Sequence, residues 1–160
     1  RKGFQEFLEA LAKLRDIPMK VLVFGTKTVK IPTIENVDFR FLDRIHSLEL
    51  LRLIYSASDT FVISSLHESF GQTALEAMAC GTPITGFCTG GIPDMVRPGV
   101  TGLLADAGSA EDLAQKIRWM ANHPNERTQM ALNARQIVEQ EFSLDVQARN
   151  YIELYESLIR

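Results

Sequence analysis

This chain has little of what a metal site, a membrane span or a nucleic-acid surface requires. Cysteine occurs twice in 160 residues, as Cys80 and Cys88, in apolar surroundings and without C-x-x-C or any other metal spacing. Both read as buried thiols in a reducing compartment. The three histidines, His46, His67 and His123, are scattered and make no metal site. Asp-x-Asp is absent, which removes a common way to hold a divalent ion. No Gly-x-Gly-x-x-Gly follows a strand, which argues against a nicotinamide dehydrogenase. No basic run reaches five residues and the net charge is −3, so no nucleic-acid partner is expected. No apolar run is long enough for a membrane span, the start is not signal-like, and there is no repeat, linker or low-complexity segment.

What is present is a globular pattern. With 46% hydrophobic residues the chain has apolar material for one core, and residues 1–160 read as a single domain. Phe4, Phe7, Leu8, Leu11 and Leu14 form a helical stripe that opens without a strand to feed it. Lys20 to Gly25 is a continuous apolar run ending at glycine, expected to be a parallel strand covered on both faces. Gly25-Thr26-Lys27 then lies at its carboxyl end, where open α/β sheets bind ligands. Val37 to Leu42 alternates as a strand, and Leu48 to Tyr55 reads as a helix. Thr60 to Ile63 and Pro83 to Cys88 are further strands. Thr89-Gly90-Gly91-Ile92-Pro93-Asp94 turns into a short helix, its glycines allowing either close approach to a ligand or a plain tight turn. Gly102 to Ala105 closes the sheet. Three helices follow, capped by Ser109, opened by Pro124 and capped by Ser143; in the last, Tyr151 and Tyr155 share a face as packing residues. Strands alternating with helices predict an α/β fold, a Rossmann-like parallel sheet with helices on both faces.

The most informative stretch is Glu68-Ser69-Phe70-Gly71-Gln72-Thr73-Ala74-Leu75-Glu76, where a strand hands over to a helix. Ser69 with Gln72 three places on has the form of a capping box, placing helix entry near Phe70. Glu68 then lies in the loop, and Glu76 nearly two turns inside. Between them lie the free first-turn amides of Gly71, Gln72 and Thr73, which with the positive end of the helix dipole favour an anion such as phosphate. The resulting order is carboxylate, anion site, carboxylate. A nucleotide sugar has the matching order of sugar hydroxyls, diphosphate and ribose hydroxyls, and a carboxylate accepts two hydroxyl protons. Spacing alone is equally compatible with two solvated acids.

Written as ESFGQTALEAMACGTP, the same residues resemble the E-x7-E signature of the retaining GT-B glycosyltransferases of the glycosyl transferases group 1 family. The resemblance continues through Gly90 to Asp94, Gly99 to Leu104 and Phe142-Ser143, and so covers nearly the whole chain. It implies the carboxy-terminal half of a GT-B fold, a fragment that lacks its first strand and the amino-terminal acceptor domain. It implies that Glu68 is the catalytic carboxylate, accepting hydrogen bonds from the transferred hexose without acting as a nucleophile, and that Glu76 holds the ribose. Lys2, in the family's Lys-Gly position, and the amides of Gly71, Gln72 and Thr73 would hold the diphosphate, with Ser69 and Phe70 as further substrate-binding residues. Arg1 does not match the family's arginine, which lies several residues upstream. Gly25 would border the donor. The backbone at Ile45 would meet the base, although Asp43 stands where the family usually has glycine, and Lys27 departs from the usual Gly-x-Gly.

The implied activity is hexose transfer from an NDP-sugar, most simply a UDP-sugar, to a glycan or lipid-linked acceptor in bacterial surface polysaccharide biosynthesis. No cofactor or metal is expected. The expected location is cytoplasmic at the inner membrane face, with peripheral membrane contact through the missing half. His67 is read as a pocket-edge residue. The alternatives are an enzyme resembling a nucleotide-sugar epimerase or a phosphorylase, and a non-catalytic nucleotide-binding or assembly module.

Overall fold

A computed structural model describes residues 2–25 and 31–159; Arg1, Thr26 and Lys27 lie outside them. The order is α1 (Phe4–Leu11), β1 (Met19–Phe24), β2 (Val37–Leu42), α2 (Leu48–Ser56), β3 (Phe61–Ile63), α3 (Gln72–Ala79), β4 (Ile84–Phe87), α4 (Ile92–Met95), β5 (Gly102–Ala105), α5 (Ala110–Asn122), α6 (Pro124–Glu141) and α7 (Leu144–Ile159). Every described strand pair is parallel, and the strands fall into two sheets, β1-β2 and β3-β4-β5. Between β1 and β2 the described residues include no helix.

The two faces of the larger sheet bury separate clusters, because successive side chains on a strand point to opposite sides. Ile63, Ile84 and Leu104 turn toward Tyr55, Ala74, Met78 and Ala134, the inner faces of α2, α3 and α6. Val62, Phe87 and Ala105 turn toward Ala10, Leu14, Leu113 and Ile117, the inner faces of α1 and α5. Ile84, Phe87, Met78 and Leu113 are completely buried, and each such side chain contributes about 1.5–3 kcal/mol relative to exposure. Helices therefore cover both faces, as the alternating pattern predicts.

The helix starts follow the sequence signals. Ser109 accepts the Asp112 amide at α5 and Ser143 the Val146 amide at α7, while Pro124 opens α6. Among the described residues no helix is long and apolar enough to cross a membrane.

Three readings are corrected. β1 is not covered on both faces: its residues alternate between half-buried and exposed as far as Val23, and Leu22 remains 38% exposed. Met19 and Val21 pack in one cluster with Leu8 and Leu11 of α1, while Leu22, on the other face, belongs to none of the buried clusters. Cys80 is half-buried but Cys88 is exposed, because it sits just past the carboxyl end of β4. Tyr151 and Tyr155 stack on each other at 6.2 Å on a helix that buries none of its residues, so they do not pack into the core.

Candidate functional site at the carboxyl end of the sheet

The loop leaving β3 carries Glu68, and α3 carries Glu76. Helix entry comes two residues later than the Ser69 signal suggests. Gly71 is the N-cap, with φ 98°, and no side chain caps the helix. The Ser69–Gln72 capping box does not form. Gly71 takes the cap because Ile92 closes on it: a Cβ built there would stand 2.4 Å from the Ile92 Cδ1. Its missing side chain thus accommodates α4, a use the ligand-approach reading did not foresee. With Gln72 as the first helical residue, Glu76 lies just over one turn in, about 6 Å along the axis at 1.5 Å per residue.

The first-turn donors stay unpaired after this shift. The amides of Ala74 and Leu75 donate to the Gly71 carbonyl, while those of Gly71, Gln72 and Thr73 donate to no described residue. Gln72 and Thr73 are exposed and Gly71 is buried, so the unpaired donors of the two helical residues lie on the exposed side of the positive helix end.

Glu68 is held from three directions. The Lys2 Nζ donates to its Oε2 at 2.9 Å, and the Glu68 side chain retains only 18% of its accessible surface. This contact holds the Glu68 carboxyl below its ordinary range, with the Ser65 hydroxyl and the Ser69 amide acting in the same direction against partial burial. Beneath the loop, Gly90 adopts φ 52°, and a Cβ there would lie 1.5 Å from the Glu68 carbonyl oxygen. The paired glycines therefore seat the Glu68 loop on the β4–α4 turn, a packing use that neither reading of Gly90-Gly91 named. The Thr89 hydroxyl ties the same turn to the Ser65 carbonyl at 2.9 Å.

Glu76 has a partner that the sequence pattern did not reveal. The Tyr55 hydroxyl, buried at 2% exposure, donates to the Glu76 Oε2 at 3.1 Å. Burial first, and then the Glu76 charge, push the Tyr55 hydroxyl above its ordinary pKa, so it stays a donor. Edge-on contacts with Phe24 and Phe61, at 5.7 and 5.4 Å, fix the ring. The available signal was the polar tip of a tyrosine among the inward residues of a helix, since a buried phenol needs a hydrogen-bond partner.

Of the other expected residues, Lys2, Gly25 and Thr73 line a common cavity of about 1110 Å³, whereas Ile45 is not in its lining. Ile45 lies in the loop after β2, two residues beyond Asp43, whose carbonyl accepts the Gly25 amide at 2.9 Å. Ser69 and Phe70 are exposed in the Glu68 loop, and His67 beside them is exposed as well. A smaller hollow of about 560 Å³ lies at the opposite, amino ends of β1 and β2 and contains none of the expected residues.

A family model described as glycosyl transferases group 1 matches residues 1–137. The chain belongs to this family, and its fold is that of the carboxy-terminal half of a GT-B glycosyltransferase. Over 84 residues it is 44% identical to the D-inositol 3-phosphate glycosyltransferase of Actinosynnema mirum, covering 52% of this chain and 20% of that protein. Among solved structures it is similar to the sucrose-phosphate synthase of Thermosynechococcus elongatus, with TM-score 0.79 and 28% identity over 99% of this chain and 44% of the other. The fold is also that of Anabaena HepE, solved in complex with UDP and glucose, with TM-score 0.79 and 22% identity over 98% of this chain and 45% of the other. The chain thus spans less than half the length of these proteins.

Proposed function

We propose that this chain is the donor-binding half of a retaining glycosyltransferase that transfers a hexose from a nucleotide sugar, with UDP as the favoured nucleotide. The observation that carries the reading is the arrangement along one loop and helix: Glu68 braced by Lys2, then the unpaired amides of Gly71 to Thr73, then Glu76 held by Tyr55. Glu68 accepts from hydroxyls of the transferred sugar, the amides and Lys2 receive the diphosphate, and Glu76 accepts from the ribose.

Negative charge grows on the departing diphosphate as the glycosidic bond breaks. Fixed donors already aimed at it lower the barrier without reorganisation. In this reading Lys2 exchanges Glu68 for the diphosphate when donor binds, which frees the Glu68 carboxylate for the sugar. A lysine and a helix terminus take the part that a divalent ion plays elsewhere. The UDP in HepE supports the choice of nucleotide. The resemblance of the Glu68 to Pro83 phrase to surface-polysaccharide transferases supports a glycan or lipid-linked acceptor.

An amide NMR titration with UDP, GDP and ADP tests the proposal. Shifts at Gly71, Gln72, Thr73 and Glu76 with one nucleotide are expected, and Glu76→Ala is expected to abolish them. If millimolar UDP, GDP and ADP all leave these amides unmoved, the donor-site reading fails.

A further inference from the structure

Ser64 is the first residue beyond β3, and two of its polar atoms meet the residues that open α1. Its hydroxyl donates to the Lys2 carbonyl at 3.0 Å. Its own carbonyl packs on Gly3, where a Cβ would stand 1.7 Å from the Ser64 oxygen. Gly3 is the buried N-cap of α1 at φ 63°, and no side chain caps that helix. Only a glycine accepts both the backbone angle and so close an approach. One serine therefore grips two consecutive backbone positions.

The grip matters because of what Lys2 carries. A lysine side chain has many rotamers, so ordering it around a ligand costs affinity unless part of that order is already present. Here the Lys2 backbone is held at Ser64 and its ammonium stands 2.9 Å from the Glu68 Oε2. The other side of this ring of contacts is fixed as well. The Thr89 hydroxyl holds the Ser65 carbonyl, and the Glu68 carbonyl lies against Gly90. In the order sugar, diphosphate, ribose, the ammonium thus waits at the sugar end, beside Glu68.

We propose that Ser64 is a positioning residue for donor binding: by holding the Lys2–Gly3 backbone to the end of β3, it keeps the Lys2 ammonium where the sugar-side phosphate of a nucleoside diphosphate arrives. The inference rests on the donor-site reading for the ligand, and on the contacts of Ser64 for the placement of Lys2. Its consequence is selectivity. A nucleoside monophosphate still reaches the amides of α3 and Glu76 but offers nothing to Lys2, so only diphosphate binding depends on Ser64.

Calorimetry with UDP and UMP tests the proposal, together with an NMR titration of the Glu68 carboxyl without nucleotide. Ser64→Ala is expected to weaken UDP about three- to ten-fold and to leave UMP unchanged. The same variant is expected to let the Glu68 carboxyl, held low by Lys2, rise toward its ordinary range. Ser64→Thr keeps the hydroxyl and is expected to keep UDP affinity. In a Lys2→Ala background Ser64→Ala is expected to add no further loss, because the serine acts through the lysine. Unchanged UDP affinity in Ser64→Ala, equal losses for UDP and UMP, or an unmoved Glu68 carboxyl overturns the proposal. If the unmodified chain binds no UDP, the donor-site reading fails and the Glu68 titration alone decides whether Ser64 places Lys2.

Discussion

Tyr55 donates its buried hydroxyl to the Glu76 carboxylate at 3.1 Å, linking the last turn of α2 to the middle of α3. The contact fixes one oxygen of Glu76 and leaves the other lone pairs to a ligand. Tyr55→Phe keeps the ring against Phe24 and Phe61 and removes only this donor. A hydrogen bond to a charged acceptor contributes about 1.5–3 kcal/mol, so a urea midpoint corresponding to a loss of about 1–2 kcal/mol is expected. Under the donor-site reading UDP binding weakens about ten-fold by calorimetry, since about 1.4 kcal/mol is one decade in affinity. An unchanged midpoint and affinity would show that the hydroxyl is idle.

The Lys2–Glu68 pair sets a pH dependence. Because the Glu68 carboxyl is held below its ordinary value, the pair stabilises the fold above that value, and the contribution is lost as pH falls through the lowered folded value. Lys2 is 70% exposed, so the gain is at most about 1 kcal/mol. The melting-temperature difference between wild type and Lys2→Ala is expected to be constant above about pH 5 and to shrink at lower pH. A difference that grows on acidification contradicts the assignment.

Gly90 and Gly99 offer a matched comparison. Both have positive φ, 52° and 78°, yet a Cβ at Gly90 would meet the Glu68 carbonyl oxygen at 1.5 Å, while one at Gly99 meets nothing within 4 Å. Gly99→Ala is expected to cost about 1–2 kcal/mol for the left-handed backbone alone. Gly90→Ala adds a backbone clash, with an expected total of about 4 kcal/mol or more, and displaces Glu68. Equal losses in chemical denaturation would mean that the loop moves aside freely.

The two thiols are expected to react at different rates. Cys88 is exposed, whereas Cys80 is half-buried and burial pushes its thiol up despite the nearby Arg135 and Arg52. Ellman's reagent is expected to modify one thiol about ten-fold faster than the other, and Cys88→Ser to remove the fast phase. Loss of the slow phase instead would reverse the assignment.

Much of the fold was legible in the residues, because short β-branched runs such as Phe61 to Ile63 and stripes such as Leu113, Ile117 and Met120 carry their own period. The candidate site was legible only as an order of groups along the chain, from Glu68 to Glu76. The start of α3 was misread because a Ser-x-x-Gln pattern is only a local option. Packing of Ile92 against Gly71 made a glycine cap the better solution. Cys88 was misread for a related reason, since an apolar run does not reveal where its strand ends.

By itself the sequence determined which groups exist and their order: two carboxylates flanking a helix terminus that follows a strand, in a chain that mostly alternates strands with helices. Local periodicity and capping act between residues a few positions apart, so they can be read along the chain. Only the tertiary structure decided that Lys2 reaches Glu68 across 66 positions, that Tyr55 holds Glu76 across 21, and that β1 and β3 wall a common cavity. Those relationships depend on how sheets and helices close over one another, and spacing along the chain does not encode them.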